Sequence, residues 1–388
     1  MVIVSKFEFS TSDRIIFGNG SLSRVAALAP NFGKRALIVC GSGSVSLENL
    51  FKFLNDAGVP GEIFRVEDEP DLTVIKAGLE KVKLAQCDFV IGYGGGSVMD
   101  TGKAIAALMT NPGDVMDYLE VIGQGKEIPN PAAPMIAIPT TAGTGTEVTR
   151  NAVISSPEHH VKVSMRSRKM IPKAAIVDPE LTYSMPPAVT ASTGMDALTQ
   201  VIEAYVSNRA NAMTDIIAKE GIQRGARSLL RAYQNGQDKA AREDMALTSL
   251  LGGLALANGG LGAVHGFAGP IGGMFNAPHG AICASLLPHV MKYNVAALSD
   301  HEDTGEMRER YQEIAILLTG DPEADIEDGV NWIKNLAEAL EIPGLHDIGI
   351  KKEDFNRIIK QSKVSSSMQK NPVKLDEDIL EAILIAAY

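Results

Sequence analysis

Two polar side chains lie one helical turn apart in a segment that is otherwise apolar. Asp196 and Gln200 belong to STGMDALTQVIEAY, residues 192–205. Side chains four residues apart share one face of a helix. A buried carboxylate and amide on that face are either a hydrogen-bonded structural pair, a metal site, or a metal site that has lost part of its ligands. This stretch alone leaves the three interpretations open.

Two histidines further along the chain have the same buried character. His265 and His279 lie in LGAVHGFAGPIGGMFNAPHGA, among apolar and small residues. The intervening glycines and prolines exclude one uninterrupted helix, so we expect the histidines on separate segments that fold toward each other. A single buried histidine is usually a hydrogen-bonded core residue. Two of them with a buried aspartate favour a metal site, because imidazoles and a carboxylate suit Zn²⁺ or Fe²⁺.

Glycine-rich turns follow two predicted strands in the first half of the chain. The turn CGSGSVS (40–46) is weak support for a nucleotide site, because Ser46 stands where the dinucleotide fingerprint has its third glycine. The turn in GYGGGSVMDTGKAIA (92–106) predicts a pyrophosphate site, since its glycines let backbone amides approach an anion at a helix N-terminus. The threonine-rich loop PTTAGTGTEVTRN (139–151) suits a ribose, phosphate or carboxamide, or supplies only turns and helix caps.

The elements that position these residues divide the chain in two. Strand-like runs alternate with helical patterns up to residue 185, which predicts a parallel sheet in an α/β Rossmann-like nucleotide domain, residues 1–185. NAVISSPEHHVKVSM (151–165) is typical of a hairpin. After MPPAVTAS helical patterns dominate, which predicts an all-α domain, residues 186–388. Active sites commonly lie in the cleft between two such domains. The predicted elements are strands at 35–40, 62–66, 88–94, 135–139 and 174–178, and C-terminal helices at 195–207, 211–234, 239–258, 281–297, 304–319, 326–341 and 376–387.

Composition and charge exclude several classes of protein. The 388 residues carry a net charge of −11 without a basic cluster, which argues against nucleic acid or anionic lipid as the main partner. No export signal and no apolar run long enough to span a membrane is apparent. The three cysteines are far apart and in no CxxC spacing, so we expect no disulfide framework and a cytoplasmic location.

Five stretches together resemble one known family. FGNGSL, IGYGGGSVMDTGKA, IPTTAGTGTEVT, VDPELTYSMPPAVTASTGMDALTQVIEAY and VHGFAGPIGGMFNAPHG run from residue 17 to 280. They are similar to the iron-containing (group III) alcohol dehydrogenases, which are related to glycerol dehydrogenase and dehydroquinate synthase. The resemblance implies that family's two-domain fold, a nicotinamide cofactor and a divalent metal, Fe²⁺ or Zn²⁺. It also implies a small alcohol or aldehyde as substrate and a homodimer.

The resemblance also implies a ligand set with two departures from the family pattern. An Asp, a His four residues later and two further His map onto Asp196, Gln200, His265 and His279. Glutamine replaces one imidazole, and its neutral amide oxygen is the weaker ligand. Gly269 stands where many relatives have a further histidine. Three strong ligands are still enough for a catalytic zinc, so we expect a metal site with Asp196, His265 and His279 as catalytic residues.

The same resemblance assigns the cofactor contacts. Relatives that prefer NAD tend to have an Asp after the first strand, which binds the adenosine ribose and repels a 2′-phosphate. Gly41 occupies that position here, followed by small residues and hydroxyls, so we expect NADP, with use of both cofactors as the alternative. The implied cofactor-binding residues are Gly41, Ser42, Ser44, Gly95, Gly96, Ser97, Asp100, Thr140, Thr141, Thr144, Lys162 and Leu181.

The implied reaction is hydride transfer between nicotinamide and a carbonyl or alcohol carbon, with the metal as Lewis acid. One alternative is a metal-independent reductase similar to maleylacetate reductases, in which the histidines donate hydrogen bonds to the substrate. A second is lyase chemistry similar to that of dehydroquinate synthase, for which KVSMRSRK (162–169) is the only basic segment. A third is a non-catalytic nucleotide-binding relic.

Overall fold

The computed structural model describes residues 6–43, 45–67, 69–159, 161–275, 277–299 and 305–388. The chain divides into two compact units. One unit is Ser10–Ser184, called here the α/β unit. The other, the helical unit, consists of Met185–Tyr388 and the described residues that precede Ser10.

The α/β unit contains the predicted parallel sheet, so the predicted fold class is confirmed. Six strands pair side by side in the order β1-β8-β5-β4-β2-β3, every pair parallel, and β6 and β7 form the predicted antiparallel hairpin. The elements are β1 (Arg14–Phe17), α1 (Val25–Leu28), β2 (Ala36–Gly41), α2 (Glu48–Asp56), β3 (Gly61–Val66), α3 (Leu72–Ala85), β4 (Phe89–Gly94), α4 (Gly96–Thr110), α5 (Val115–Tyr118), β5 (Met135–Pro139), β6 (Asn151–Ser156), β7 (Val161–Arg166) and β8 (Ala174–Val177).

Both faces of the sheet are covered, which explains why its strands are apolar runs without polar alternation. Leu37 and Val39 belong to one buried cluster, whereas Ala36 and Ile38 belong to another. Successive strand residues point to opposite faces, so the two clusters lie on the two sides of the sheet.

Strand order brings the two glycine-rich turns together. β2 lies between β3 and β4, and therefore the chain moves to one side of β2 after α2 and to the other side after α3. Cys40 pairs with Tyr93, so Gly41 and Gly94 end neighbouring strands at one edge of the sheet. Ligands of open α/β sheets bind beside the carboxyl ends of the strands where the order reverses in this way.

The helical unit contains α6 (Pro187–Val206), α7 (Ala212–Gln234), α8 (Lys239–Gly259), α9 (Ala263–Phe275), α10 (His279–Ser299), α11 (Gly305–Thr319), α12 (Ile326–Ala339), α13 (Phe355–Ser362) and α14 (Glu377–Ala386). α10 has the length and hydropathy of a membrane span, as does the bent pair α8 and α9 taken together. Because 72% of the α10 window is buried inside the fold, core packing accounts for its apolar composition.

Helix α6 begins earlier than the predicted start at residue 195. Pro187 is its first residue, a position where proline is favoured because its φ is already helical and its missing N–H would be unpaired anyway. α9 contains Pro270 and four glycines, and ends before Pro278. The two histidines therefore lie on separate helices, as the glycines and prolines predict.

A fully buried lysine ties the threonine-rich loop to α4. The Lys103 ammonium donates to the carbonyl and hydroxyl of Thr146 at 3.0 and 2.6 Å, and to the Thr149 hydroxyl at 3.0 Å. It also donates to the Asn151 carbonyl and lies 3.2 Å from Asp100 Oδ1. Burial lowers the pKa of Lys103, which the nearby Asp100 opposes. Lys103 thus holds four oxygen atoms at the C-terminal end of the loop.

Substitution of Lys103 by Met should lower the free energy of unfolding by about 3–5 kcal/mol, because it removes a fully buried cation from Asp100 and from the four oxygens that accept its hydrogen bonds. Urea denaturation followed by circular dichroism measures the change. Lys126→Met is the control, since Lys126 is half exposed in its pair with Asp117 and should cost less than about 1 kcal/mol. Equal effects of the two substitutions would contradict the role of Lys103.

Candidate metal centre and nucleotide-binding turns

Three helices of the helical unit bring four potential ligands together. Asp196 comes from α6, His265 from α9, and both His279 and Cys283 come from the first turns of α10. Their ligand atoms all lie within 4.8 Å of one another. Asp196 Oδ1 is 3.1 Å from Nε2 of His265 and 3.9 Å from Nε2 of His279. Cys283 Sγ is 3.9 Å from His265 Nε2. The structure thus joins the three strong ligands that the sequence predicted.

A glycine allows α10 to start beside α6. A Cβ added at Gly280 would fall 2.0 Å from the backbone oxygen of Ser192, a distance that no side chain can adopt. The carbonyl of Pro278 accepts from the amides of Ala281 and Ile282, which forms the first turn of α10. His279 therefore projects from a helix end that backbone contact holds against α6.

Glu203 orients His265 and caps α9. Its carboxylate accepts from His265 Nδ1 at 2.6 Å and from the backbone amides of Val264 and His265 at 2.6 and 3.3 Å. These amides belong to the first turn of α9, where no helical carbonyl is available to them. With Nδ1 bound to Glu203, His265 Nε2 faces Asp196. Carboxylates in this position fix ring orientation and raise ligand basicity in metal sites.

Gln200 lies beside the cluster, but its amide oxygen does not face it. The Gln200 amide contributes to the lowered pKa of Asp196, which places its nitrogen, the only donor of the amide, on the side of the carboxylate. Oε1 is buried and has no hydrogen-bond partner among the described residues. It is directed at Gly252 of α8, where an added Cβ would fall 2.7 Å from it. In this orientation Gln200 supports Asp196 through its N–H group.

The electrostatics of the cluster are dominated by burial and by its own charges. Burial alone would raise the pKa of Asp196, yet the hydrogen bond from His265 and the charge of His279 hold it below its usual value. Burial alone would lower the pKa of His265, yet the Cys283 thiolate and the Asp196 carboxylate raise it well above normal. Each group is stabilised in its charged form by the others.

The donor set fits a divalent metal. Bonds of about 2.0–2.3 Å at tetrahedral angles place ligand atoms about 3.3–3.8 Å apart, close to the observed separations. A proton or a cation between His265 Nε2 and Asp196 Oδ1 satisfies both atoms, and metal binding releases such protons. The side chain of His279 is 38% exposed, against 8% for His265, so the cluster opens to solvent at His279.

The second departure from the family pattern leaves open space. A Cβ added at Gly269 would meet nothing within 4 Å. Gly269 lies one helical turn after His265, so a side chain there would project beside the cluster. The glycine supplies no group that could exchange a proton.

The predicted pyrophosphate turn lies at the start of α4. Gly95 precedes the helix and Gly96 begins it, with Ser97 next. A Cβ at Gly95 would fall 3.3 Å from the Thr141 side chain, and one at Gly96 would fall 3.0 Å from that of Thr144. Bare backbone at these positions keeps the amides at the helix N-terminus accessible to an anion.

The threonine-rich loop is anchored beside this turn. The amide of Thr140 donates to the carbonyl of Gly94 at 3.0 Å. This bond lies at the end of β5, where Pro139 pairs with Gly94. The structure therefore brings together the predicted residues 95–97 and 140–144.

Other predicted cofactor residues have partners within the α/β unit. Asp100 accepts from the Thr146 hydroxyl at 2.8 Å and from the Val153 amide at 3.0 Å. Lys162 pairs with Glu69 at 2.6 Å, and Leu181 packs against the sheet.

The first glycine-rich turn carries the remaining predicted cofactor residues. Gly41 ends β2, Ser42 follows it, and Ser44 lies outside the described residues. Arg65 donates from Nη1 to the Gly41 carbonyl at 3.3 Å, which places a guanidinium beside this turn.

The chain also matches known proteins over its whole length. A family model described as "Iron-containing alcohol dehydrogenase" matches residues 12–179, and one described as "Fe-containing alcohol dehydrogenase family, C-terminal" matches residues 190–388. The chain belongs to the iron-containing alcohol dehydrogenase family. Its members use NAD(P) and iron or another divalent metal, and the enzyme is an oxidoreductase acting on CH–OH groups, an NAD(P)-dependent alcohol dehydrogenase.

Individual relatives agree with this assignment. Alcohol dehydrogenase 4 of Saccharomyces cerevisiae (strain YJM789) is 36% identical over 96% of each chain. The 1,3-propanediol dehydrogenase of Klebsiella pneumoniae is 36% identical over 98% of this chain and 99% of its own. A crystal structure of 1,3-propanediol oxidoreductase superposes with a TM-score of 0.92 at 35% identity, covering 99% of this chain and 100% of that one.

Sequence reasoning missed several residues that shape these sites in the enzyme. Glu203 had a signal, since a lone acid in the apolar run VIEAYV lies two turns after Asp196 on the same helix face. Cys283 had one too, four residues after His279 in HGAIC. Arg65 had none, because its approach to Gly41 depends on strand pairing.

Substitution of Gly280 by Ala should destabilise the enzyme by about 1–3 kcal/mol and lower its metal content, because the new Cβ overlaps the Ser192 carbonyl and displaces His279. Thermal unfolding and elemental analysis measure both effects. Gly269→Ala, whose Cβ enters open space, is the control and should lose no stability. A Gly280→Ala protein with wild-type stability and metal content would refute the close contact.

Proposed function

We propose that the enzyme is a metal-dependent, NADP-preferring dehydrogenase that interconverts small alcohols and aldehydes. The observation that supports this most strongly is the convergence of ligand atoms from Asp196, His265 and His279 in the helical unit. These three residues are the proposed metal ligands and catalytic residues, with Gln200 beside them.

A divalent cation held there would polarise the substrate oxygen as a Lewis acid. The protein's own contribution is positional. Glu203 holds His265 with Nε2 directed at Asp196, and Gly280 lets His279 approach α6. His279, the exposed member, forms the side of the cluster that a substrate can reach.

Proton exchange cannot use a side chain at position 269. The open space at Gly269 lets water approach this side of α9, so we assign proton exchange with the substrate oxygen to water or to a cofactor ribose hydroxyl. This assignment distinguishes the enzyme from relatives with a histidine at that position.

We assign cofactor binding to the edge of the sheet where the two glycine-rich turns meet. The amides of residues 95–97 would bind the pyrophosphate at the N-terminus of α4. Thr140, Thr141 and Thr144 would line the same surface. Asp100 and Lys162 would act mainly through the conformation of the loop and hairpin, since their charges are paired within the unit.

Preference for NADP is supported at the end of β2. Gly41 carries no carboxylate that would repel a 2′-phosphate, and the Arg65 guanidinium lies against its carbonyl. A nearby arginine is the usual partner of the 2′-phosphate in this type of fold. Ser42 offers a hydroxyl in the same turn.

The proposal includes a small alcohol or aldehyde as substrate, a cytoplasmic location and a homodimer. Relatives act on small alcohols, as the name 1,3-propanediol dehydrogenase states of one of them. The three cysteines are buried and unpaired, which fits the reducing cytoplasm. A homodimer is proposed from the resemblance.

Replacement of His279 by Ala should lower the content of bound metal and remove at least about 99% of turnover, because it deletes the ligand on the side of the cluster that a substrate can reach. Elemental analysis and nicotinamide absorbance with an aldehyde measure the two effects. The control is His346→Ala, because this histidine is exposed and lies far from the cluster in sequence. A buried residue such as Asn294 is unsuitable, since its substitution would itself disturb the core. Full activity of metal-free wild-type protein would instead identify a metal-independent reductase.

Substitution of Gly41 by Asp should lower kcat/KM for NADP by about 10- to 100-fold through repulsion of the 2′-phosphate, with NAD little affected. The substitution is sterically allowed, since the nearest atoms to an added Cβ are 3.7 and 3.8 Å away.

Arg65→Ala should lower kcat/KM for NADP about tenfold through loss of a charged hydrogen bond. Initial rates with both cofactors measure these effects, and equal losses for NAD and NADP would contradict the assignment.

A further inference from the structure

We propose that the Cys283 thiolate is the fourth protein ligand of the metal, in place of Gln200, and that the resulting Asp-His-His-Cys set selects zinc over iron. The inference rests on the proposed function, because it presupposes a metal held by Asp196, His265 and His279.

Geometry places the sulfur among the ligands. Cys283 lies one helical turn after His279 on α10, so both side chains project from one face of that helix. Its Sγ is 3.9 Å from His265 Nε2 and lies within 4.8 Å of every other ligand atom. A zinc with one bond of about 2.3 Å to sulfur and others of about 2.0–2.1 Å would require only small movements of these side chains. Because four protein ligands would fill a tetrahedral set, the substrate oxygen would bind as a fifth ligand, an expansion that catalytic zinc sites can undergo.

Gln200 is poorly placed to complete the set. Its amide oxygen lies beside Gly252 of α8, where an added Cβ would fall 2.7 Å from it. The buried Oε1 finds no partner among the described residues in that direction. Turning the amide would direct Oε1 at the Asp196 carboxylate, where two oxygen acceptors would face each other. Gln200 therefore positions Asp196, and the fourth donor must come from another helix.

Ligand chemistry then decides the metal. Soft thiolate ligands favour zinc, whereas a set of imidazoles and carboxylate without sulfur is also suited to iron. Asp196 and Cys283 together carry two negative charges, which neutralise a divalent cation in a buried site. Loss of an imidazole at position 200 is thereby offset by a thiolate at position 283.

The enzyme provides its own control cysteines. Cys40 and Cys87 are also buried, but both lie in the α/β unit, and the one cluster of potential metal ligands in the described part of the chain includes neither. A cysteine that is merely a small apolar core residue would behave as they do.

The test uses cobalt as a spectroscopic probe of the intact protein. Metal is removed by chelation, Co²⁺ is added, and the near-ultraviolet thiolate-to-cobalt charge-transfer band is recorded for the wild type, Cys283→Ser, Cys40→Ser and Cys87→Ser. We expect the band in the wild type and both controls and its loss in Cys283→Ser. We also expect the zinc-over-iron preference, measured by anaerobic competition and elemental analysis, to fall at least about tenfold in Cys283→Ser.

Results that overturn the thiolate ligand differ from results that overturn the proposed metal-dependent function. Stoichiometric Co²⁺ binding without the band, or a band that persists in Cys283→Ser, overturns the thiolate ligand while the metal-dependent function stands. No Co²⁺ binding by the wild type overturns both. If Cys283→Ser does not fold, X-ray absorption at the zinc edge of the wild type decides: one sulfur at about 2.3 Å supports the ligand, and a shell of nitrogen and oxygen alone excludes it.

Discussion

The buried carboxylate of Glu203 is the contact on which the cluster of Asp196, His265, His279 and Cys283 depends. It joins α6 to α9 by accepting from two backbone amides and one imidazole nitrogen. A buried charge of this kind is stable only when hydrogen-bonded, and here its partners are the unpaired amides of a helix start. The direction of His265 Nε2 follows from this arrangement. The carboxylate that caps α9 therefore also sets the orientation of the His265 ring.

Glycines allow close approach of neighbouring elements in both units. Gly280 allows α10 to approach α6, and Gly95 and Gly96 allow the threonine-rich loop to approach α4. The space that a side chain would occupy is taken by the Ser192 carbonyl beside Gly280 and by threonine side chains beside Gly95 and Gly96. Lys103 then ties the loop to α4 through hydrogen bonds to the carbonyl and hydroxyl of Thr146. Glycines thus allow neighbouring elements to approach each other, and buried charged side chains hold those elements in place.

Much of the fold was predictable because the spacing of apolar residues along the sequence indicates which side of a strand or helix is buried. Strands β2 to β5 and the hairpin follow apolar runs and turn residues, and their predicted bounds differ from the structure by one residue or less at most ends. Helix α9 was harder, since Gly266, Gly269 and Pro270 weaken the helical pattern that tertiary packing nevertheless stabilises. Strand β1, only four residues long, was missed because so short a run carries little periodicity.

Convergence of the candidate ligands was predictable where polar residues stand in apolar surroundings. Asp196, His265 and His279 are unusual in apolar surroundings, and the structure brings them together. The orientation of Gln200 was not predictable, because it depends on which end of the amide faces Asp196 and on the space beside Gly252. Arg65 likewise requires knowledge of which strand lies beside β2.

All four donors of the cluster belong to α6, α9 and α10 of the helical unit. Whatever free energy cation binding releases is therefore added to the stability of that unit, by an amount that grows with the logarithm of free cation concentration. Among the described residues, the α/β unit contributes no donor to this cluster. At low metal concentration the helical unit would therefore be the first part to lose stability. The amount of folded protein in a cell would then depend on the supply of metal.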